Sequence, residues 1–179
     1  MLLEEFENTS AVIEPTDTSI RGGGETCNTL ILSFNGEIIK RVAELENVYE
    51  GGALHNLNGR LPWYIYEQSG VRVGVMLAPI GASMIVGKPE ELKAKGFQNF
   101  IVFGTCGVLD RSIAVDKIIL PSSALRDEGT SYHYAPASDE INYHSELLLT
   151  MEEALDQAGI EHVQTKTWTT DAFYRETAA

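Results

Sequence analysis

Apolar and polar positions change period several times along this chain, and the changes mark its elements. TLILSF (Thr29–Phe34) is short, β-branched and apolar, which predicts a buried strand. In the following GEIIKRVAEL, residues Ile38, Ile39, Val42 and Leu45 share one face at helical spacing. ALHNLNGRLP is rich in turn formers and reads as a connector. PWYIYEQ and VRVGVMLAP flank Ser69-Gly70, which predicts a hairpin. Gly81 and Ser83 open a helix that runs to about Lys95 and stops at Gly96. Pro89 stands inside it and is expected to kink or split it.

FIVFGTCG is another continuous apolar run and is expected to be an inner strand, and KIILPSSAL is a third candidate for the sheet. NYHSELLLTMEEALDQAG has the best helical pattern, with Leu147, Leu148, Met151, Ala154, Leu155 and Ala158 in one stripe and Gly159 as its stop. HVQTKTWTT predicts a last strand, leading into DAFYRETAA. Residues 1–28 are polar, carry Pro15 and the run Arg21-Gly22-Gly23-Gly24, and read as an N-terminal arm outside the core. Strands that alternate with helices from residue 29 to 179 predict an α/β domain with a mostly parallel or mixed sheet, covered on both sides.

The 179 residues are 44% apolar and 22% charged, a balance that fills one core. Thirteen basic against 26 acidic side chains give a net charge of −13. That field repels phosphate backbones and anionic lipid, so neither nucleic acid nor membrane is expected as a partner. No apolar run reaches the length of a membrane span, and MLLEEFENTS lacks the parts of a secretion signal. Cys27 and Cys106 make no disulfide framework, and a reducing cytoplasm is the expected location.

In open α/β sheets, ligands bind beyond the carboxyl ends of strands. Three glycine-bearing strand ends compete for that role: Pro79-Ile80-Gly81-Ala82, Gly104-Thr105-Cys106-Gly107 and Asp127-Glu128-Gly129-Thr130-Ser131. On pattern alone, the second is as readily a tight turn as a ligand wall. Cys106 has no base at a recognisable spacing, so packing is the simpler role. Asp127, Ser131 and His133 suggest a hydrolase triad, yet triad members normally come from separated elements and no G-x-S-x-G occurs. Neither zinc-ligand spacing nor a nucleotide-binding glycine motif is present. Trp168, Phe173 and Tyr174 suit either stacking on a flat ring or core filling.

Four stretches together are similar to the nucleoside phosphorylase family, which holds purine nucleoside and uridine phosphorylases and related nucleosidases: VMLAPIGAS, NFIVFGTCGVLDRSIAVDKIILPSSA, RDEGTSYHYAP and TWTTDAFY. The resemblance implies a three-layer α/β fold with a mixed, partly rolled sheet flanked by helices, lacking its C-terminal portion at Ala179. It implies cleavage of a nucleoside's N-glycosidic bond, with the sugar passed to phosphate as co-substrate or to water. Thr105 would lie beside ribose and phosphate, Cys106 and Gly107 would line the base pocket, Phe173 would stack on the base, and Gly81 would lie at the phosphate or water end. No metal and no other cofactor is expected.

The chain departs from the family pattern in three places. Phe34-Asn35-Gly36-Glu37-Ile38 stands where phosphorylases carry G-D-P-x-R, and Val102-Phe103 stands where a second phosphate arginine precedes the turn. Arg126 is a candidate replacement from another direction. The M-E segment that grips ribose would follow D-x-F-Y, beyond the last residue here, and Thr177 and Ala179 fall where pyrimidine-type members carry a glutamine and an arginine. No catalytic acid is therefore assigned. The expectation is a nucleoside-cleaving protein, inactive if truncated, against the alternative of a non-catalytic nucleoside-binding or assembly remnant. An uncovered last strand also predicts a homo-oligomer.

Overall fold

The structure is a computed structural model describing residues 6–18, 23–57, 59–110, 112–113 and 117–175. Arg21, Gly22, Thr177 and Ala179 lie outside the described residues. The chain divides into two units, Thr9–Cys106 and Gly107–Ala179 with Met1–Asn8. Each unit has its own mixed sheet with helices alongside, the α/β architecture that the resemblance implies.

In the first unit, β1 (Thr29–Ser33), β2 (Val48–Asn56), β3 (Gly59–Gln68), β4 (Val71–Leu77) and β5 (Asn99–Phe103) form a sheet of order β2-β3-β4-β1-β5. Strand β1 pairs in parallel with both β4 and β5, while β2, β3 and β4 run antiparallel in sequence. The β3–β4 hairpin turns at Ser69-Gly70, both at positive φ (52° and 80°), the backbone of a tight two-residue turn. The connector expected around residues 53–62 is instead strand: β2 and β3 pair through it, with a register shift between Glu50 and Gly52.

Leu30, Leu32, Trp63, Ile65 and Met76 are fully buried and form one core with Phe97 and with Leu92 of α3 (Ala82–Lys95). Each such side chain contributes roughly 1.5–3 kcal/mol when removed from water. The Trp63 ring meets Phe97 edge-on at 5.8 Å, and its Nε1 donates to the Glu25 carbonyl at 2.8 Å. Helix α3 begins after Gly81 and ends at Gly96, as the sequence predicts. It runs unsplit through Pro89, which removes the N–H that would bond the Ile85 carbonyl. A short helix, α1 (Pro15–Thr18), packs on α3. Helix α2 (Gly36–Ala43) lies over the same sheet and buries Ile39, while Leu45 stays exposed beyond its end.

Two expectations change here. Cys27, read as part of the arm, is buried in this core. FIVFG is expected to be an inner strand, but among the described residues β5 is at the edge of the first unit's sheet, paired with β1 alone, with Ile101, Val102 and Phe103 half-exposed. Its apolar run signals a strand without telling how many neighbours that strand has.

In the second unit, β6 (Ile118–Asp127) is central, paired antiparallel to β7 (Glu140–Asn142) and parallel to β8 (His162–Thr170). Pro121 cannot donate to the ladder, and the register with β8 shifts between Pro121 and Ser123. Helix α4 (Ser145–Gln157) packs on β6, with Leu148, Met151 and Leu155 half-buried and Leu147 exposed.

Candidate functional site

Parallel pairing sets the geometry of the first unit's working end. Leu77, Ser33 and Phe103 stand in register at the carboxyl ends of β4, β1 and β5. Two further backbone bonds, Ala78 N to Ser33 O (2.8 Å) and Phe34 N to Phe103 O (3.1 Å), carry the ladder one step beyond. The chain then leaves in three loops. One reaches Gly81 (φ 104°) and α3, one passes Asn35 into α2, and one is Gly104-Thr105-Cys106. The structure thus brings Gly81, Thr105 and Cys106 to one end of one sheet. Gly107 and Phe173 belong to the other unit.

A cavity of about 310 Å³ opens there, lined by residues 34–38 and by Phe103, Gly104 and Thr105. Gly81 and Cys106 do not line it. The ring of Phe34 packs against Gly104 so tightly that a Cβ on the glycine would lie 2.7 Å from Phe34 Cδ2. That contact, invisible in the sequence, makes Phe34 and Gly104-Thr105 one wall.

The two helix starts at this end differ electrostatically. At α2, Asn35 Oδ1 accepts the amides of Glu37 (2.9 Å) and Ile38 (3.4 Å), and the Glu37 carboxylate pairs with Lys40 at 2.6 Å. A protein oxygen already takes the positive end of this helix, and an anion there would face Glu37. At α3, no side chain caps the first turn and no acidic residue stands in it. The start of α3, at Gly81, is the better anion seat of the two.

In the second unit, the parallel strands β6 and β8 end side by side at Asp127 and Thr170. Trp168 Nε1 donates to Asp127 Oδ2 (3.2 Å), Gly129 N to Asp171 Oδ2 (3.1 Å), and Asp171 N to the Asp127 carbonyl (3.2 Å). RDEGTSYHYAP and TWTTDAFY, distant in sequence, are thereby stapled together. The turn Phe173–Arg175 follows, with Phe173 69% exposed and Tyr174 more so.

Arg126 does not serve as a replacement phosphate ligand. It is only 7% exposed, and its guanidinium bonds Ser131 Oγ (2.8 Å), Pro136 O (2.7 Å), Ser138 Oγ (2.9 Å) and Ala135 O (3.4 Å). Nor do Asp127, Ser131 and His133 form a triad. The Asp127 carboxylate binds Trp168, Ser131 Oγ binds Arg126, and His133 is exposed. Among the described residues, no three His, Cys, Asp or Glu side chains are grouped to hold a metal. No helix among them is long and apolar enough to cross a membrane.

Residues 29–179 match the family model described as the phosphorylase superfamily. The chain belongs to the phosphorylase superfamily. It is 26% identical over 151 residues to a uridine phosphorylase of Thermococcus kodakarensis, covering 84% of this chain and 53% of that protein. A uridine phosphorylase of Haemophilus influenzae is 29% identical over 85 residues (48% and 34%). A guanosine phosphorylase of Halorubrum lacusprofundi is 30% identical over 91 residues (49% and 36%). The chain spans about half the length of the first of these relatives and about a third of the other two.

Within the superfamily domain, the sequence points to Gly81, Thr105 and Cys106 and marks Phe34–Ile38 only as a departure from the phosphate motif, while Asp171 goes unmarked. The Asx-type cap was available in Asn35-Gly36-Glu37. The Gly104–Phe34 contact and the Asp171 staple are tertiary and leave no local signal.

Proposed function

We propose that the protein cleaves the N-glycosidic bond of a nucleoside, passing the sugar to phosphate or water, and that the three strand ends of the first unit hold the sugar. The observation that carries this reading is the cavity beside Thr105, bounded by the parallel ends of β1 and β5 in a superfamily member. Bond breaking gives the sugar oxocarbenium character, so a useful site fixes its hydroxyls and leaves the ring face uncluttered. The Thr105 hydroxyl supplies a donor and acceptor there, and Phe34 and Phe103 supply apolar contact. In the second unit, Phe173 is a flat, exposed ring of the kind that stacks on a base. The acceptor enters at Gly81, because the amides of α2 are already engaged by Asn35. The reading includes a homo-oligomer, supported by the half-exposed apolar residues of β5, and a cytoplasmic location, supported by the two free cysteines.

Uridine, guanosine and adenosine, each incubated with the protein with and without phosphate, test this by chromatography of free base. Base release that requires phosphate supports transfer to phosphate, and equal release without it supports transfer to water. A second reading, nucleoside binding without turnover, is favoured by one feature: Glu37, the carboxylate lining the cavity, is paired with Lys40. It predicts thermal stabilisation by nucleoside with no base released.

A further inference from the structure

We infer that Arg126 is a positioning residue: its buried guanidinium folds residues 128–139 into a preformed loop, and that loop fixes the turn carrying Phe173. The inference rests on the proposed function only for what Phe173 contacts.

A cation 7% exposed pays a large desolvation cost unless it is well solvated by protein groups. Here those groups all come from one loop and are all neutral. Nε binds Ser131, Nη1 binds both Pro136 O and Ser138 Oγ, and Nη2 reaches Ala135 O. The guanidinium lies over the Tyr132 ring at 4.1 Å from its centroid. Bonds to the Arg126 backbone close the ring around it, with Arg126 N donating to Asp139 O (3.0 Å) and the Tyr132 hydroxyl to Arg126 O (3.2 Å). Only a planar fork with several fixed N–H directions satisfies such a set at once; a lysine ammonium does not.

The second link is short. Asp127 and Gly129, on either side of Glu128 and next to Arg126, are the residues that hold Trp168 and Asp171. Glu128 itself accepts the amides of Thr130 (2.7 Å) and Ser131 (3.0 Å), so it is spent inside the loop. Loss of the fork therefore loosens residues 128–139 first and the Asp171–Arg175 turn next. It leaves α4 untouched. Because the guanidinium is buried and engaged, Arg126 acts on a ligand through the loop and not by touching it.

Arg126→Lys, compared with the unaltered chain by amide hydrogen exchange and by uridine and guanosine titration, tests this. Amides of Gly129, Thr130, Ser131 and Asp171 are expected to exchange about tenfold faster or more, while Leu148 and Ala158 in and beside α4 keep their rates. Nucleoside affinity is expected to fall by about tenfold, the equivalent of one charge-assisted bond. Unchanged exchange in the loop, or equal acceleration in the loop and α4, overturns the inference. If Arg126→Lys does not fold, Ser138→Ala, which removes one bond to the fork, is read by the same exchange pattern and the same criteria. If the unaltered chain binds neither nucleoside, the proposed function fails while the exchange data still decide the role of Arg126.

Discussion

Phe34 and Gly104 are in contact across the ends of two parallel strands, with a Cβ on the glycine falling 2.7 Å from Phe34 Cδ2. The contact joins the β1–α2 loop to the GTCG turn and shapes the cavity between them. Gly104→Ala is expected to push the Phe34 ring into that cavity. The cost is about 1–3 kcal/mol of stability, as for other overpacked sites, and urea denaturation measures it. Weaker nucleoside binding should accompany it, whereas an unchanged titration would detach the cavity from the ligand.

Trp63 is the centre of the first unit's core, and its indole N–H is also the bond that holds the approach segment through Glu25. Trp63→Phe leaves the Glu25 carbonyl without that donor and is expected to cost about 1–3 kcal/mol. Trp63→Ala adds a cavity and is expected to cost about 3–5 kcal/mol. Chemical denaturation of both variants gives the ordering; no loss in Trp63→Phe would mean that the hydrogen bond contributes nothing, and equal losses that the cavity adds nothing.

The same tryptophan stands beside the clearest failure of sequence reading. Gly51 and Gly52 sit in β2 because the Trp63 ring lies against them, at 2.6 and 2.4 Å from the Cβ positions a side chain would take. The turn formers of ALHNLNGRLP read locally as a connector, which hides the second half of β2, although its partner β3 is legible in PWYIYEQ. Elements set by local chemistry were read well: Ser69-Gly70 as a turn, Gly81 and Gly96 as the ends of α3, HVQTKTWTT as β8. What depended on distant partners was not legible. The edge position of β5, the burial of Cys27 and the engagement of Arg126 are of that kind. The candidate site was legible through residue types in a familiar order, and its walls were not.

Acid should weaken the second unit through Glu140. Its bond to Lys166, and then its bond to Ser123, hold the carboxyl below the usual glutamate range. A depressed folded value contributes stability that is present above the unfolded value, about 4.3, and is lost as pH falls through the folded one. Glu140→Gln is expected to melt lower than the unaltered chain near neutrality, with the gap closing in acid. The difference is small because the pair is partly exposed. A gap constant with pH would assign the effect to packing.

Thiol labelling separates the two cysteines. Burial pushes the Cys27 thiol up, and its S–H donates to the Thr29 carbonyl at 3.2 Å. Cys106 is exposed. A disulfide reagent under native conditions is expected to modify Cys106 rapidly and Cys27 only after unfolding. Two thiols reacting at one rate would contradict the buried placement of Cys27.

The central claim is that the strand ends of the first unit around Thr105 receive a nucleoside. Amide chemical shifts during titration with uridine, and separately with guanosine, test it most directly. The account predicts saturable shifts at Gly81, Gly104, Thr105 and Cys106 with at least one of the two. Shifts confined to other residues, or none with either nucleoside, would contradict it.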